Sequence, residues 1–285
     1  MRLRKSGSAQ AGRPETVSVS FTAKVCASAR AGHLLMHGSS AVLQDWLAWP
    51  LLGDEAERLA SRLRTRFAHN YDRLATWIAA RSRYAEDWLA DSGAEQYVIL
   101  GSGLDTFAWR QRGAVKVFEI DHPATLEFKR KRLRALGVRD PEGLRWVPAD
   151  LEAEPVGDVL ARVGLTSSPT FVSWLGVTSY LSKRAIEATL RSLPSGLVAV
   201  THVTPVGYEG PSSPGASLAF KELAGEGREA LTAAFTPDAF ADLLAECGMR
   251  VAESAGCEHV VSRYGLPAMS WGNEQVVLAQ PVGST

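Results

Sequence analysis

The sequence has little cysteine, no excess of either charge and no long apolar run. Its three cysteines, Cys26, Cys247 and Cys257, form no CxxC pair. So sparse and odd a set argues against a disulfide framework or a structural zinc, and fits a reduced cytoplasm. Lys+Arg and Asp+Glu both number 31, so the formal net charge is zero. Dedicated nucleic-acid binders carry a basic excess, and this balance speaks against that class. No run of about 18 apolar residues occurs, so no membrane-spanning helix is expected. Arg2, Arg4, Lys5 and Arg13 are followed by no apolar h-region, and no secretory signal is expected.

What is present is ordinary globular composition: 285 residues, 46% hydrophobic and 22% charged. That suffices for one large α/β domain with an insertion, or two small domains. Residues 1–15 read as a polar, flexible arm. From Thr16 to about Ser92 the pattern is helical and predicts an N-terminal cap. Asp54 is placed to cap a helix whose apolar positions Ala56, Leu59, Ala60 and Leu63 share one face. Tyr71 to Leu89 follow as a long helix or a broken pair.

The texture changes at Gly93. Tyr97–Leu100 is a short apolar run ending in Gly101, which suits a buried parallel strand. Further strands are expected at 115–121, 144–149, 170–175, 196–203, 250–253 and 274–279. Helices are expected at 123–136, 153–163, 182–193 and 237–246. Alternation from residue 97 to about 200 predicts right-handed βαβ units on a mostly parallel sheet. The core domain is expected over 93–285. The turn-rich stretch Tyr208–Pro214 opens an insertion at about 205–236.

Three positions follow strands in this scheme. Gly101-Ser102-Gly103-Leu104-Asp105 follows the first, where glycines let backbone pass close to a ligand. Thr106 stands where a dinucleotide fingerprint needs its third glycine, which weakens a pyrophosphate reading and leaves a nucleoside. Asp105 also suits the N-cap of the next helix. Asp121 ends the second strand, 18 residues beyond Gly103. An acid near that spacing binds a ribose diol in nucleotide-binding α/β folds, although Asp121 can equally cap the helix before Pro123. Glu119 shares its face of the strand. Asp150-Leu151 follows the third strand, where an acid can accept from an exocyclic amine and a leucine can pack on a base; a plain surface acid fits as well.

These residues and their neighbours resemble the leucine carboxyl methyltransferase family of S-adenosylmethionine enzymes, whose bacterial branch includes polyketide carboxyl methyltransferases such as the tetracenomycin one. The matching stretches are TAKVCASARA (22–31), ARSRYAEDWL (80–89), YVILGSGLDTFAWR (97–110), VFEIDHPATLEFKRKRL (117–133), PADL (148–151) and FVSWLGVTSYLS (171–182). The resemblance implies a Rossmann-like methyltransferase fold with a helical N-terminal cap. It implies that Gly101, Ser102 and Gly103 line the methionine portion of S-adenosylmethionine, that Asp121 binds the ribose, and that Asp150 and Leu151 hold adenine. Arg81 matches the arginine that pairs with the cofactor carboxylate, with Arg83 as a rival. Lys24 matches a cap lysine more loosely. Trp174 and Leu175 fall in the motif after the fourth strand. Some family members have a glutamate where Leu175 stands, so one polar contact near the methionine end is lost and a small-molecule substrate fits better than a protein carboxylate.

The acceptor side is less defined. A carboxylate is ionised at pH 7 and needs no base, whereas a phenol with a pKa of about 10 benefits from one. His202, at the end of the fifth strand, and Tyr180 are the catalytic candidates. His33, His37, Trp109 and Tyr180 are the candidates for contacting a flat acceptor. The basic run Lys129–Arg132 with Arg134 reads as a solvated helix face rather than a nucleic-acid site. The expected protein is therefore a cytoplasmic O-methyltransferase. It would use S-adenosylmethionine, release S-adenosylhomocysteine, and act on a small molecule of secondary metabolism without metal, nucleic acid or membrane. A methyl ester is favoured over a methyl ether. The rivals are a non-methylating enzyme or a binding protein on the same fold.

Overall fold

The computed structural model describes residues 19–111, 113–205, 221–222, 224–227, 229–269 and 271–283, apart from the side chain at 69. The N-terminal arm and the Tyr208–Pro214 loop lie outside the described residues.

The sheet has seven strands, β1 Gln96–Leu100, β2 Lys116–Asp121, β3 Leu144–Pro148, β4 Thr170–Trp174, β5 Gly196–Val203, β6 Met249–Ala255 and β7 Glu274–Pro281. Their order is β3-β2-β1-β4-β5-β7-β6. β1 to β5 are parallel, and β7 runs antiparallel to both β5 and β6. The order reverses between β1 and β4, and ligands of open α/β sheets sit outside the carboxyl ends of strands at such a point.

Period-two alternation divides the strands' side chains between two cores. Tyr97, Ile99, Val117, Phe171 and Val276 face one, and Val98, Leu100, Phe118, Val172 and Trp174 face the other. The first core is covered by α1 Phe21–His37, α3 Ala56–Phe67 and α4 Tyr71–Asp91, together with α10 Cys257–Arg263. The second is covered by α7 Val156–Arg162, α8 Lys183–Ser192 and α9 Pro237–Glu246. Three further helices are short or peripheral: α2 Ala48–Leu52, α5 Phe107–Arg110 and α6 Pro123–Ala135.

Two details of the cap differ from the sequence reading. The helical run breaks between residues 41 and 47, where Asp45 is buried against Arg30. Asp54 sits inside a 3-10 turn and caps nothing; α3 begins after Glu55 without a side-chain cap. Ser20, Ser182 and Thr236 do cap their helices, each accepting from a backbone N–H three residues on.

A buried polar chain fixes the cap to the loop after β1. Arg30 Nε donates to Asp45 Oδ2 at 2.6 Å and its Nη2 to the Leu104 carbonyl at 2.7 Å. Thr106 Oγ1 donates to Asp45 Oδ1, and Arg110 reaches both Thr106 and Glu86. Burial raises the Asp45 carboxyl, but Arg30 and Arg110 outweigh it and hold it below its ordinary range. Unpaired, any of these groups would carry a desolvation cost of several kcal/mol, so the network specifies one position for the loop.

Candidate active site

A cavity of about 890 Å³ opens at the carboxyl edge of the parallel strands, bounded above by α1, α4 and residues 229–234. Its volume lies near the top of the range for small-molecule sites, roughly 300–1,000 Å³.

The floor is the turn after β1. Gly101 and Gly103 have φ of +64° and +51°, a region that side chains avoid. A Cβ on Gly103 would meet Ala23 Cβ at 3.0 Å, and one on Gly101 would collide with Val177. Asp121 closes this turn: its Oδ2 accepts from the Gly103 N–H at 2.6 Å and its Oδ1 from the His122 N–H at 2.7 Å. Burial pushes its carboxyl up, while those two N–H groups pull it back. Each oxygen retains a lone pair for a diol. The helix cap itself is His122, whose Nδ1 accepts from the Ala124 N–H. Asp105 also lines the cavity and accepts from the Phe107 N–H at 2.7 Å. Asp150 and Leu151 border the same end, Asp150 exposed and Leu151 buried.

The opposite wall brings together Arg81, Leu175, Gly176, Tyr180, Cys26, Trp77 and Glu274. Arg81 pairs with Glu274, and Trp77 Nε1 donates to Glu274 Oε2 at 2.6 Å. The rival Arg83 is half exposed and pairs with Asp87 at 2.7 Å, away from the cavity. Burial pushes the Tyr180 hydroxyl well above its usual range, so it stays protonated at neutral pH. Higher on the wall, Glu229 accepts from the Phe21 and Thr22 N–H groups and from the Thr22 hydroxyl, occupying the start of α1.

Six expected site residues stand elsewhere. Trp174 and His202 alternate with cavity-lining neighbours and point to the other side of the sheet. Trp174 is fully buried in the second core, and His202 stacks on Phe240 of α9 with ring centres 4.3 Å apart. Burial lowers His202 to about 4, so it is a neutral core group rather than a base at the cavity. His33 accepts from the Val42 N–H, and His37 lies 4.5 Å from it, both at the far end of α1. Fifteen residues separate Thr22 from His37, about 22 Å along a helix. Trp109 belongs to α5, not a cavity loop, and donates to the Arg139 carbonyl. Lys24 turns outward to Glu55 at 2.9 Å. Lys129 also departs from expectation: it is fully buried against Glu119 rather than solvated.

Glu274, Trp77, Thr22 and Glu229 were not foreseen. The strand at 274–279 was legible, but its antiparallel direction was not. Only that direction puts its first residue at the ligand edge, opposite Val203.

The donor set suits a nucleoside joined to an amino-acid head: a backbone cradle, a diol acceptor and a buried guanidinium. Among the described residues no group of three or more His, Cys, Asp or Glu is clustered to hold a metal ion, and no helix is long and apolar enough to cross a membrane.

The fold is shared with methyltransferases. A structure from Thermobifida fusca YX, provisionally titled a methyltransferase, matches with a TM-score of 0.56 at 18% identity, covering 86% of this chain and 97% of that one. In sequence, a provisionally named S-adenosyl-L-methionine-dependent methyltransferase of Mycobacterium sp. (strain KMS) is 31% identical over 302 residues, covering 87% of this chain and 94% of the relative. YktD of Bacillus subtilis (strain 168), provisionally named likewise, is 29% identical over 201 residues, 61% of this chain and 66% of its own. Fold, site and relatives define an S-adenosylmethionine-dependent methyltransferase. The family model for leucine carboxyl methyltransferase matches residues 23–193, and the chain belongs to that family.

Proposed function

We propose that the chain methylates an oxygen of a small-molecule acceptor, a carboxylate before a phenol, in bacterial natural-product biosynthesis. The observation that supports this reading is that, among the described residues, no histidine stands on the acceptor side to serve as a general base. His202 faces away, and the Tyr180 hydroxyl holds its proton. Glu229 and Glu274 are each engaged by protein donors. His122, the histidine lining the cavity among the described residues, stands beside Asp121 at the nucleoside end. An acceptor must then arrive ionised, as a carboxylate with a pKa of about 4 does.

In this reading Gly101, Ser102 and Gly103 cradle the methionine portion, Asp121 takes the ribose, Asp150 and Leu151 flank the base, and Arg81 pairs with the cofactor carboxylate. Bound S-adenosylmethionine supplies a methyl group already activated on a sulfonium. The chain's own work is alignment and exclusion of water, which is worth about 7–11 kcal/mol when an acceptor is held in line. Trp77, Leu175 and Tyr180 form a wall that keeps water from the methionine end. Residues 16–92 act as the cap that roofs the cavity, and 93–285 as the core.

A phenolic or other hydroxyl acceptor is the second reading. The cavity lining carries six acids, Asp105, Asp121, Asp150, Glu152, Glu229 and Glu274, which suit a cationic cofactor but repel an anionic acceptor. The test begins with calorimetric titration of S-adenosylhomocysteine into the wild type. Carboxylic acids and phenols are then screened with S-adenosylmethionine, the products weighed for one added methyl group. Esters from acids support the first reading, ethers from phenols the second, and no methylated product in a cofactor-binding sample refutes both.

A further inference from the structure

An amino-acid head carries two opposite charges, and a site for it needs a cation for the carboxylate and an acid for the ammonium. Arg81 and Glu274 stand side by side in the cavity wall, with side chains 8% and 13% exposed. Arg81 Nη1 donates to Glu274 Oε1 and Trp77 Nε1 to Oε2, so each carboxylate oxygen has one protein donor and a remaining lone pair. The indole fixes the carboxylate in place. Gly176, at φ +71°, makes room for the guanidinium: a Cβ there would lie 2.7 Å from Arg81 Nη2. Its neighbour Leu175 offers the cavity no polar side-chain atom, although it occupies the end of β4 beside the pair. Glu229, further along, already receives three donors from Phe21 and Thr22. At this end of the cavity, among the described residues, Glu274 keeps more accepting capacity, a lone pair on each oxygen, where Glu229 keeps one on Oε1 alone.

We infer that Glu274 receives the ammonium of the cofactor's methionine end while Arg81 takes its carboxylate. Glu274 thereby supplies from β7 the acid that position 175 lacks. The inference rests on the placement of Arg81 given under Proposed function. In the free protein the two side chains neutralise each other, so the buried charges are compensated before any ligand arrives. Glu274 is a binding and positioning residue here: it holds the methionine end still, and the reacting sulfur with it.

Three thioethers, all uncharged at sulfur, isolate the contact by calorimetry in wild type and Glu274→Gln. They are S-adenosylhomocysteine, with both charged groups; its decarboxylated form, with the amine alone; and 5′-methylthioadenosine, with neither. Gln keeps the shape and an acceptor for Trp77. A charge-assisted hydrogen bond lost from a buried site corresponds to roughly 10- to 100-fold in affinity. That loss is expected for the decarboxylated ligand. A smaller loss is expected for S-adenosylhomocysteine, since Arg81 is freed for its carboxylate, and methylthioadenosine binding should be unchanged. Weakening confined to S-adenosylhomocysteine would show that Glu274 acts only by orienting Arg81, and overturns the inference. Equal weakening of all three would mark a damaged fold and also overturns it. A wild type that binds methylthioadenosine but gains nothing from the amino-acid head would refute the placement of Arg81 instead, and the inference with it.

Discussion

Two of the ion pairs buried among the described residues, Lys129–Glu119 and Arg81–Glu274, are built for opposite ends. Lys129 and Glu119 are both fully buried and lie 2.5 Å apart, with the ammonium 5.3 and 5.5 Å from the ring centres of Trp109 and Trp146. Arg81 and Glu274 keep a small exposure, and it opens into the cavity. The first pair is 0% exposed on both sides and lines no part of the cavity. Its charges can only hold α6 to β2. The second borders a cavity and retains spare donors and acceptors. Burial costs both pairs solvation, but only one can recover part of that cost from a ligand.

The sharpest way to break this contrast is Lys129→Met. It strands Glu119, whose carboxyl burial already pushes up to about 7 against the pull of Lys129. A loss of about 3–5 kcal/mol is expected by urea denaturation. Adding Glu119→Gln should recover much of it. A near-zero loss would mean that the sealed pair is not structural.

Asp121→Ala tests the open end of the molecule. S-adenosylhomocysteine affinity should fall roughly 10- to 100-fold by calorimetry, with a much smaller change in urea midpoint than Lys129→Met. A large stability loss with intact affinity would reverse the assignment of sealed and open groups.

His202 extends the sealed class to a titrating group. Its folded pKa, about 4, lies below the ordinary 6.5, so below pH 6.5 the unfolded chain takes up a proton that the native protein refuses. Stability from this group is therefore present above pH 6.5 and lost as the pH falls toward 4. His202→Phe should gain on the wild type by roughly 1–3 kcal/mol between pH 7 and pH 4.5. Parallel stability curves for the two proteins would place the imidazole in contact with water.

The smallest effect is expected at Lys24→Ala. Its partly exposed pair with Glu55 is worth about 0–1 kcal/mol. S-adenosylhomocysteine affinity should change less than about twofold, whereas a cofactor contact would cost roughly tenfold or more.

The geometry of the cavity end that holds Gly101, Gly103 and Asp121 was legible because it follows from local rules. A glycine turn after an apolar run and an acid at the end of the next strand need only the βαβ repeat to bring them together. The other half was not, because it depends on strand direction and helix phase. Period two sends Trp174 and His202 to the wrong side of the sheet while their neighbours Leu175 and Thr201 stay near the cavity; Thr201 Oγ1 holds the Gly176 N–H at 2.7 Å. Lys129 belongs to a basic run, yet α6 turns that one residue inward. Glu274 needed the knowledge that β7 runs backward. Arg81 was legible by resemblance, and its partner was not.

Glu229 accepts from the first N–H groups of α1 across 208 residues of chain. A ribosome delivers α1 early and Glu229 late. Until then the Phe21 and Thr22 amides lack this acceptor, and Ser20 alone caps the helix. The latch on the roof of the cavity is consequently set only after every residue of its floor has left the ribosome.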